Sequence, residues 1–239
     1  MKIHEIYDKL NEFSPFCLQE DWDNSGLLIG GSEDEFESVN ISLDLDKEIV
    51  KSAKRNTLFI THHPLIFKGL KSINSLYPSN IIKEIIKKDS YLISMHTNID
   101  KTHLNRYVVE NILEQKIVDC EDFVCYFDVD MNFDELVLYV KKKLNIKTLK
   151  VVCTDKKIKR VALTTGSGGD FIENVKADCF LTGDIKYHQA FTAMHNKLAL
   201  IDIGHFESET FFKDIIYKYL KNFQIQVIIS DCKNPFEYR

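Results

Sequence analysis

Hydrophobic and polar positions along the chain alternate between two patterns. Short runs rich in β-branched and aromatic residues are separated by longer stretches whose apolar residues recur at helical spacing. The short runs predict strands at residues 38–45, 57–63, 90–96, 149–154, 159–166, 177–183, 198–204 and 225–230. The longer stretches predict helices at residues 3–13, 46–55, 78–89, 103–114, 133–145, 169–175, 185–195 and 207–222. Single strands followed by single helices indicate an α/β protein with substantial parallel sheet.

A weak sequence similarity between the two halves of the chain suggests two related lobes within one unit. The strand end LFITHH at 58–63 resembles CFLTGD at 179–184, and a further strand with polar residues at its end follows in each half. The stretch 117–130 interrupts the helical rhythm and fits a crossover between lobes. The usual polar residues at the carboxyl ends of α/β strands explain this similarity equally well. We predict one two-lobed unit, residues 1–239, with lobes at about 1–120 and 121–239; in an alternative, the C-terminal segment returns to the first lobe.

Composition narrows the classes of function. The 239 residues are 44% hydrophobic and 28% charged, with a net charge of -5, which disfavours a general binder of nucleic acid or anionic membranes. No apolar run approaches the ~20 residues needed to cross a bilayer, and the first residues do not have the pattern of a secretory signal. The six cysteines form no CxxC pair, so we expect reduced, mostly buried thiols in a cytoplasmic protein.

Side chains that can bind metals follow several predicted strands. Five of the eight histidines lie at or just after a strand's carboxyl end or in the next helix: His62, His63, His96, His188 and His205. Three carboxylates each lie four residues from one of these histidines: Asp100, Asp184 and Glu209. Ligands bind at this edge of open α/β sheets. Imidazole and carboxylate donors without cysteine therefore predict an open, hydrolytic-type site for Zn, Mn, Fe or Co.

Each of these residues also has a purely structural interpretation. A lone histidine at a strand end is often a hydrogen-bonded structural residue, Asp100 can cap the segment after it, and Glu209 can be a solvated charge on a helix. The spacing also leaves a single-metal site open. It is the convergence of several such residues that favours a metal centre.

The adjacent pair His62 and His63 lies where a strand must end. Neighbouring side chains of a strand point to opposite faces, but Pro64 cannot donate to the ladder and ends the strand near His63. We expect the two imidazoles to leave a strand terminus and to serve two neighbouring ions. Such ions typically lie ~3.5–4 Å apart and activate a bridging water.

Five sequence blocks together resemble the Ngg-interacting-factor-three-like family, whose bacterial members carry the name GTP cyclohydrolase 1 type 2 homologue. In chain order they are WDNSGLLIG (22–30), ITHHPLIF (60–67), HTNID (96–100), FLTGDIKYH (180–188) and DIGHFESE (202–209). The resemblance implies two related α/β lobes with mostly parallel sheets around a central metal-binding cleft, assembled as a ring-shaped homohexamer. The chain departs from the family pattern at 101–105, where KTHLN replaces a small glycine-containing stretch, so we expect an altered pocket rim.

The resemblance also implies which residues carry the chemistry. Two divalent ions (Zn, Fe, Mn or Co) are expected on the metal ligands His62, His63, Asp100, His205 and Glu209. His96 and His188 are the catalytic candidates for proton transfer.

The function expected is hydrolysis of a nucleotide. A metal-bridging water attacks C8 of the GTP purine and opens its imidazole ring, while His96 or His188 moves the proton. Lys68, Lys71 or Lys186 would supply a basic rim. The expected partners are a small-molecule substrate and further copies of the chain, without nucleic acid or membrane. The alternative is a non-catalytic metal carrier or regulatory adaptor, which no sequence feature excludes.

Overall fold

The structure, a computed structural model, describes residues 1–154 and 157–237. The chain divides into two compact units: unit 1 comprises Met1–Ile99 and Phe212–Arg239, and unit 2 comprises Asp100–Phe211. The C-terminal segment is thus part of unit 1, and the boundary expected near residue 120 falls inside unit 2. Each unit contains one β-sheet together with helices, which confirms the α/β class.

Eleven strands are present in the described residues. They are β1 (Gly26–Ile29), β2 (Ser38–Ser42), β3 (Thr57–Thr61), β4 (Tyr91–Ser94), β5 (Ile117–Glu121), β6 (Val124–Met131), β7 (Lys150–Val152), β8 (Ile158–Leu163), β9 (Cys179–Thr182), β10 (Ala199–Asp202) and β11 (Gln226–Ile229).

The α-helices of the same residues are α1 (Ile3–Phe13), α2 (Lys47–Ser52), α3 (Ser79–Lys87), α4 (Thr97–Ile99), α5 (Asn105–Tyr107), α6 (Phe133–Leu144), α7 (Tyr187–His195), α8 (His205–Glu209) and α9 (Phe212–Leu220). Short 3-10 turns lie at Phe16–Leu18 and Gly169–Phe171. Two π-helical segments, Asp100–Leu104 and Val108–Ile112, flank α5.

Parallel pairing dominates the first sheet and forms the centre of the second. The sheet of unit 1 has the order β1-β4-β3-β2-β11, and only β1 runs antiparallel to its neighbour. The sheet of unit 2 has the order β5-β6-β8-β9-β10-β7, with β8, β9 and β10 mutually parallel. Its outer strands pair antiparallel. Four neighbouring strands of the first sheet and three of the second therefore end at one edge of their sheet.

All eight predicted strands are present, and each ends earlier than the apolar pattern suggested. Strand β3 ends at Thr61, before the histidine pair, and β9 ends at Thr182, before Gly183. The polar residues that we had placed at strand ends instead form loops at the sheet edge. The predicted helix 169–175 is only a 3-10 turn, and the predicted helix 207–222 is two helices, α8 and α9.

The stretch interpreted as a crossover, residues 117–130, is a β-hairpin formed by β5 and β6. Its turn contains Asp122 with φ of 52°, a left-handed conformation that aspartate tolerates better than most residues. Buried residues of β6 are followed by outward Asp128 and Asp130. The sequence pattern missed this hairpin because the acidic residues of β6 were interpreted as an interruption rather than as the exposed face of a strand.

Helices cover both faces of the second sheet. Phe127, Leu163 and Leu181 belong to one buried cluster, which also contains residues of α6. The preceding residue of β9, Phe180, packs into the opposite cluster with Ala193 of α7 and Leu200. Successive residues of one strand therefore enter different cores, as the two-residue period of a strand requires.

The cysteines differ in part from the expected set of reduced, buried thiols. Cys120 and Cys125 face each other across β5 and β6 and form a disulfide. Cys17 and Cys153 are exposed and Cys179 is buried. Burial raises the pKa of the Cys179 thiol above its ordinary range.

The helices of the described residues are also informative about a membrane. None of their helices combines the length and the apolar character that a membrane span requires.

Two leucines of unit 2 give a matched test of this core. Leu181 is fully buried, whereas Leu138 on α6 is 67% exposed. We expect Leu181→Ala to lower the free energy of unfolding by about 2–5 kcal/mol, because it leaves a cavity. We expect Leu138→Ala to change it by less than about 0.5 kcal/mol. Urea denaturation followed by circular dichroism measures both, and equal losses for the two variants would contradict this assignment of the core.

Candidate functional site

The candidate residues of unit 1 follow the carboxyl ends of β2, β3 and β4, three neighbouring parallel strands. Beyond Thr61, the backbone N–H groups of His62 and His63 both donate to the carbonyl oxygen of Leu43, each at 3.2 Å. Two successive N–H groups that share one acceptor do not follow the alternation of a strand. The two imidazole rings therefore approach each other, with centroids 4.9 Å apart.

A third histidine joins this pair. One potential ligand atom from each of His62, His63 and His96 lies within 4.8 Å of those of the other two. The ring of His96 lies 5.1 Å from that of His62 and 5.6 Å from that of His63. His62 is fully buried, and the other two side chains are 24% and 16% exposed. His96, which we expected to transfer protons, thus has the position of a possible ligand as well.

Each of these imidazoles is oriented through its Nδ1 atom. The acceptor is the carbonyl oxygen of Met95 for His62 (2.9 Å), a carboxylate oxygen of Asp44 for His63 (2.9 Å), and one of Asp23 for His96 (2.8 Å). Carbonyl and carboxylate oxygens only accept, so Nδ1 carries the proton and Nε2 keeps a lone pair when the ring is neutral. This is the arrangement that orients metal-binding histidines.

Asp23 has further hydrogen bonds besides that from His96. Its fully buried carboxylate accepts from the backbone N–H of Asn24 at 2.7 Å, from the hydroxyl of Ser25 at 2.9 Å and from the N–H of Thr97 at 3.1 Å. Burial alone would raise the pKa of Asp23, but hydrogen bonds from His96 and Thr97 and the charge of His96 hold that pKa well below its usual value. The lowered pKa favours the ionised carboxylate of Asp23 behind His96.

Unit 2 repeats this construction with different residues. His205 begins α8 after β10, and its Nδ1 lies 2.7 Å from a carboxylate oxygen of Asp184, in the loop after β9. Its Nε2 lies 3.0 Å from a carboxylate oxygen of Glu209, one helical turn later. The Glu209 side chain is only 4% exposed. An imidazole nitrogen and a buried carboxylate thus face one point, as side chains four residues apart on a helix can.

Glycines allow the loops of unit 2 to approach this pair. A Cβ atom on Gly183 would lie 2.6 Å from the backbone nitrogen of His205 and 2.7 Å from the carbonyl oxygen of Gly166. A Cβ atom on Gly166, whose φ is +64°, would lie 2.1 Å from Glu209 Oε1. The loops after β8, β9 and β10 therefore pack backbone to backbone around the His205 and Glu209 side chains.

Two other predicted residues lie outside the histidine cluster. Asp100 begins the π-helical segment of unit 2, its Oδ1 is buried, and its backbone carbonyl accepts from the side chain of Asn105 at 3.0 Å. Segments of π-helix are frequent at functional sites. His188 is exposed on α7, with its ring 5.2 Å from that of Tyr187. Neither residue belongs to a cluster of potential ligands in the described part of the chain, and their roles stay predictions.

The donors present fit a divalent metal ion of the expected kind. Imidazole nitrogens with anchored Nδ1 atoms and a buried carboxylate are the usual ligands of Zn and related ions. The sequence interpretation missed Asp23 and Asp44 as the residues that orient His96 and His63. Asp44 follows β2 at the same sheet edge, which could have identified it. Asp23 lies 73 positions from its partner, and nothing local in the sequence indicates that contact.

Known proteins resemble this chain over its whole length. A curated protein of Campylobacter jejuni named GTP cyclohydrolase 1 type 2 homolog is 54% identical, with 100% of both chains covered. A Helicobacter pylori protein named GTP cyclohydrolase 1 type 2 is 41% identical, with 98% of each covered. The crystal structure of a Staphylococcus aureus hypothetical protein has a TM-score of 0.89 at 28% identity, covering 100% of this chain and 99% of the other.

The family model described as Duf34/NIF3 (NGG1p interacting factor 3) matches residues 1–235. This match confirms the resemblance seen in the five sequence blocks. Because the model spans nearly all of the sequence, the chain belongs to the NIF3 family.

Proposed function

We propose that this chain is a metal-dependent hydrolase that acts on a nucleotide, with GTP as the first substrate to test. The proposal depends on one observation common to His62, His63, His96 and His205. Each Nδ1 faces an oxygen acceptor, which makes Nε2 the ring nitrogen that could bind a metal ion; in His205 that atom already faces the Glu209 carboxylate, a second potential ligand. The names of the curated relatives support the choice of substrate.

The proposed ligands are those that the family resemblance assigns. They are His62, His63, Asp100, His205 and Glu209, which would hold two divalent ions of Zn, Fe, Mn or Co. Oriented Nε2 atoms of His62 and His63, and the contact between His205 and Glu209, support four of these assignments. Asp100 is supported by its buried carboxylate oxygen and by the family motif.

When bound, the ions supply Lewis acidity, which lowers the pKa of water and makes it a nucleophile near neutral pH. Water would add across the C8=N7 bond of the purine, which places one of its protons on N7; the C8–N9 bond would then break, leaving a formyl group on N7 and requiring the second proton on N9. His96 accepts this second proton from the water and returns it to the released nitrogen. Asp23, ionised behind His96 Nδ1, stabilises the imidazolium between these two transfers. His188 is the second proposed proton-transfer residue.

We also propose that the chain assembles as a homohexameric ring and works in the cytoplasm. The motifs of the family support the ring, and the acidic composition supports a small-molecule substrate rather than nucleic acid. The mass of the purified protein by light scattering tests the assembly.

Turnover tests the proposed function directly. Protein reconstituted with Zn, Mn, Fe or Co should open the GTP ring, as followed by chromatography of the nucleotide. We expect His63→Ala to lower kcat/KM at least about 100-fold, because a metal ligand is lost. His4→Ala, at a side chain that is 42% exposed on α1, is the matched control and should leave kcat/KM unchanged. Activity that survives both His63→Ala and removal of metal by a chelator would contradict the hydrolase.

The residue that orients His63 gives a second test. We expect Asp44→Ala to weaken metal binding about 10- to 100-fold, because the His63 ring loses the acceptor that fixes it. Asp8→Ala, at an exposed position of α1, should leave affinity unchanged. Metal competition against a chromogenic chelator measures both variants. Unchanged affinity in Asp44→Ala would argue against His63 as a ligand.

The same substitution at His96 and at His188 distinguishes the roles of the two candidate proton-transfer residues. We expect His96→Gln to lower kcat about 100-fold or more, the size of a lost general acid–base group, while the bound metal per chain is retained. His188→Gln, on exposed α7, should have a smaller effect. Elemental analysis of both variants is the control. Loss of metal together with activity in His96→Gln would instead make His96 a ligand.

A further inference from the structure

An exposed aromatic surface lies beside the three histidines of unit 1. Trp22 is the only tryptophan of the chain and is 59% exposed; Phe67 is 41% exposed. Their ring centroids lie 6.0 Å apart, and each lies 6.2 Å from the ring of His96. The His96 ring is nearly perpendicular to both, at 79° and 85°. The three rings form one contiguous surface, which we call the aromatic patch.

The neighbours of Trp22 in sequence hold this patch in place. Asp23 binds the ring of His96 and the backbone N–H of Thr97. The side chain of Asn24 donates to the carbonyl oxygen of Ile66, the residue before Phe67. Asp23 and Asn24 thus fix the backbone next to Trp22. Asp23 connects it to His96, and Asn24 connects it to the residue before Phe67.

Internal packing does not account for these rings. Aromatic pairs at such distances contribute only about 0.5–1.5 kcal/mol beyond the area that they bury, and Trp22 leaves most of its ring in water. Large aromatic side chains that stay exposed on a fixed backbone are typical of binding surfaces. Flat rings with free faces bind planar heteroaromatic rings by stacking.

Charge on the adjoining loop fits an anionic ligand. Lys68 follows Phe67 directly, and Lys71 lies three positions further; both are exposed. Neither takes part in the hydrogen bonds and ion pairs described for the surrounding residues. A ligand with an aromatic ring and a phosphate group therefore matches the aromatic patch together with these two lysines.

We propose that Trp22 and Phe67 form a stacking site for the purine ring of the substrate and hold that ring beside His96. The inference rests on the proposed function for its choice of nucleotide. It adds that recognition of the base depends on two exposed aromatic side chains, with Lys68 and Lys71 near the phosphate groups.

The single tryptophan makes the site directly observable. Because all tryptophan emission comes from Trp22, titration of metal-reconstituted protein with guanosine or GTP should quench it saturably. Ribose 5-phosphate and tripolyphosphate, which lack the base, should leave the emission unchanged. N-acetyltryptophanamide titrated in parallel corrects for absorption by the nucleotide.

Substitutions then assign the contact. Phe67→Leu keeps the fluorescent probe and should raise the Kd for guanosine about three- to tenfold, the loss expected for one stacking partner. Trp22→Leu, measured by calorimetry, should raise it about tenfold or more, and Trp22→Phe should recover part of the affinity. Phe236→Leu removes a still more exposed ring outside the patch and should leave the Kd unchanged.

The outcomes separate this site from the proposed chemistry. Saturable quenching that Phe67→Leu weakens, without any GTP turnover, supports the stacking site and rejects the hydrolase. Turnover of GTP with unchanged emission, or equal quenching by tripolyphosphate, overturns the stacking site alone. An emission change that depends on protein concentration but not on guanosine also overturns it, because another copy of the chain would then cover Trp22.

Discussion

Parallel pairing of three neighbouring strands is the constraint on which the candidate residues of each unit depend. Parallel strands end at the same edge of a sheet, so the loops after them meet there although they are far apart in sequence. In unit 1 this edge brings together residues that follow β2, β3 and β4, and in unit 2 residues that follow β8, β9 and β10. The antiparallel strands at the outside of each sheet carry none of the predicted ligands.

Local backbone chemistry turns this shared edge into a cluster of side chains. The carbonyl oxygen of Leu43 accepts two successive N–H groups and so brings His62 and His63 together. In unit 2, glycines allow the loops to approach each other, because a Cβ atom at these positions would collide with the neighbouring loop. Both solutions satisfy backbone groups at positions where the regular ladder has ended. The loops of the two units contain different residues. The weak sequence similarity between 58–63 and 179–184 therefore reflects the ends of β3 and β9 more than the loops that follow them.

Much of the fold could be predicted from the sequence, because apolar periodicity reports directly on burial. The eight predicted strands and the first helix, Ile3–Phe13, are present. The hairpin of β5 and β6 was missed because Asp128 and Asp130 lie on its outward face. Polar residues there do not show that the strand pairs with its neighbours. The disulfide of Cys120 and Cys125 depends on that same hairpin register and could not be foreseen without it.

The histidines of the candidate site were predictable for a different reason. They follow strands, and the donor types of imidazole and carboxylate restrict the chemistry. The partners of their Nδ1 atoms were harder to predict, since Asp23 and Asp44 lie 73 and 19 positions away from His96 and His63. Such contacts depend on how loops fold over the sheet edge, which local pattern does not determine.

The anchored Nδ1 atoms have a consequence for selectivity. A free imidazole loses rotational freedom when it binds an ion, whereas these rings lose it when the chain folds. The donors therefore present a fixed spacing to whatever ion arrives, and they adapt little to its radius. Discrimination among divalent ions would then come from how well each tolerates that spacing, and less from the intrinsic strength of its bonds to nitrogen.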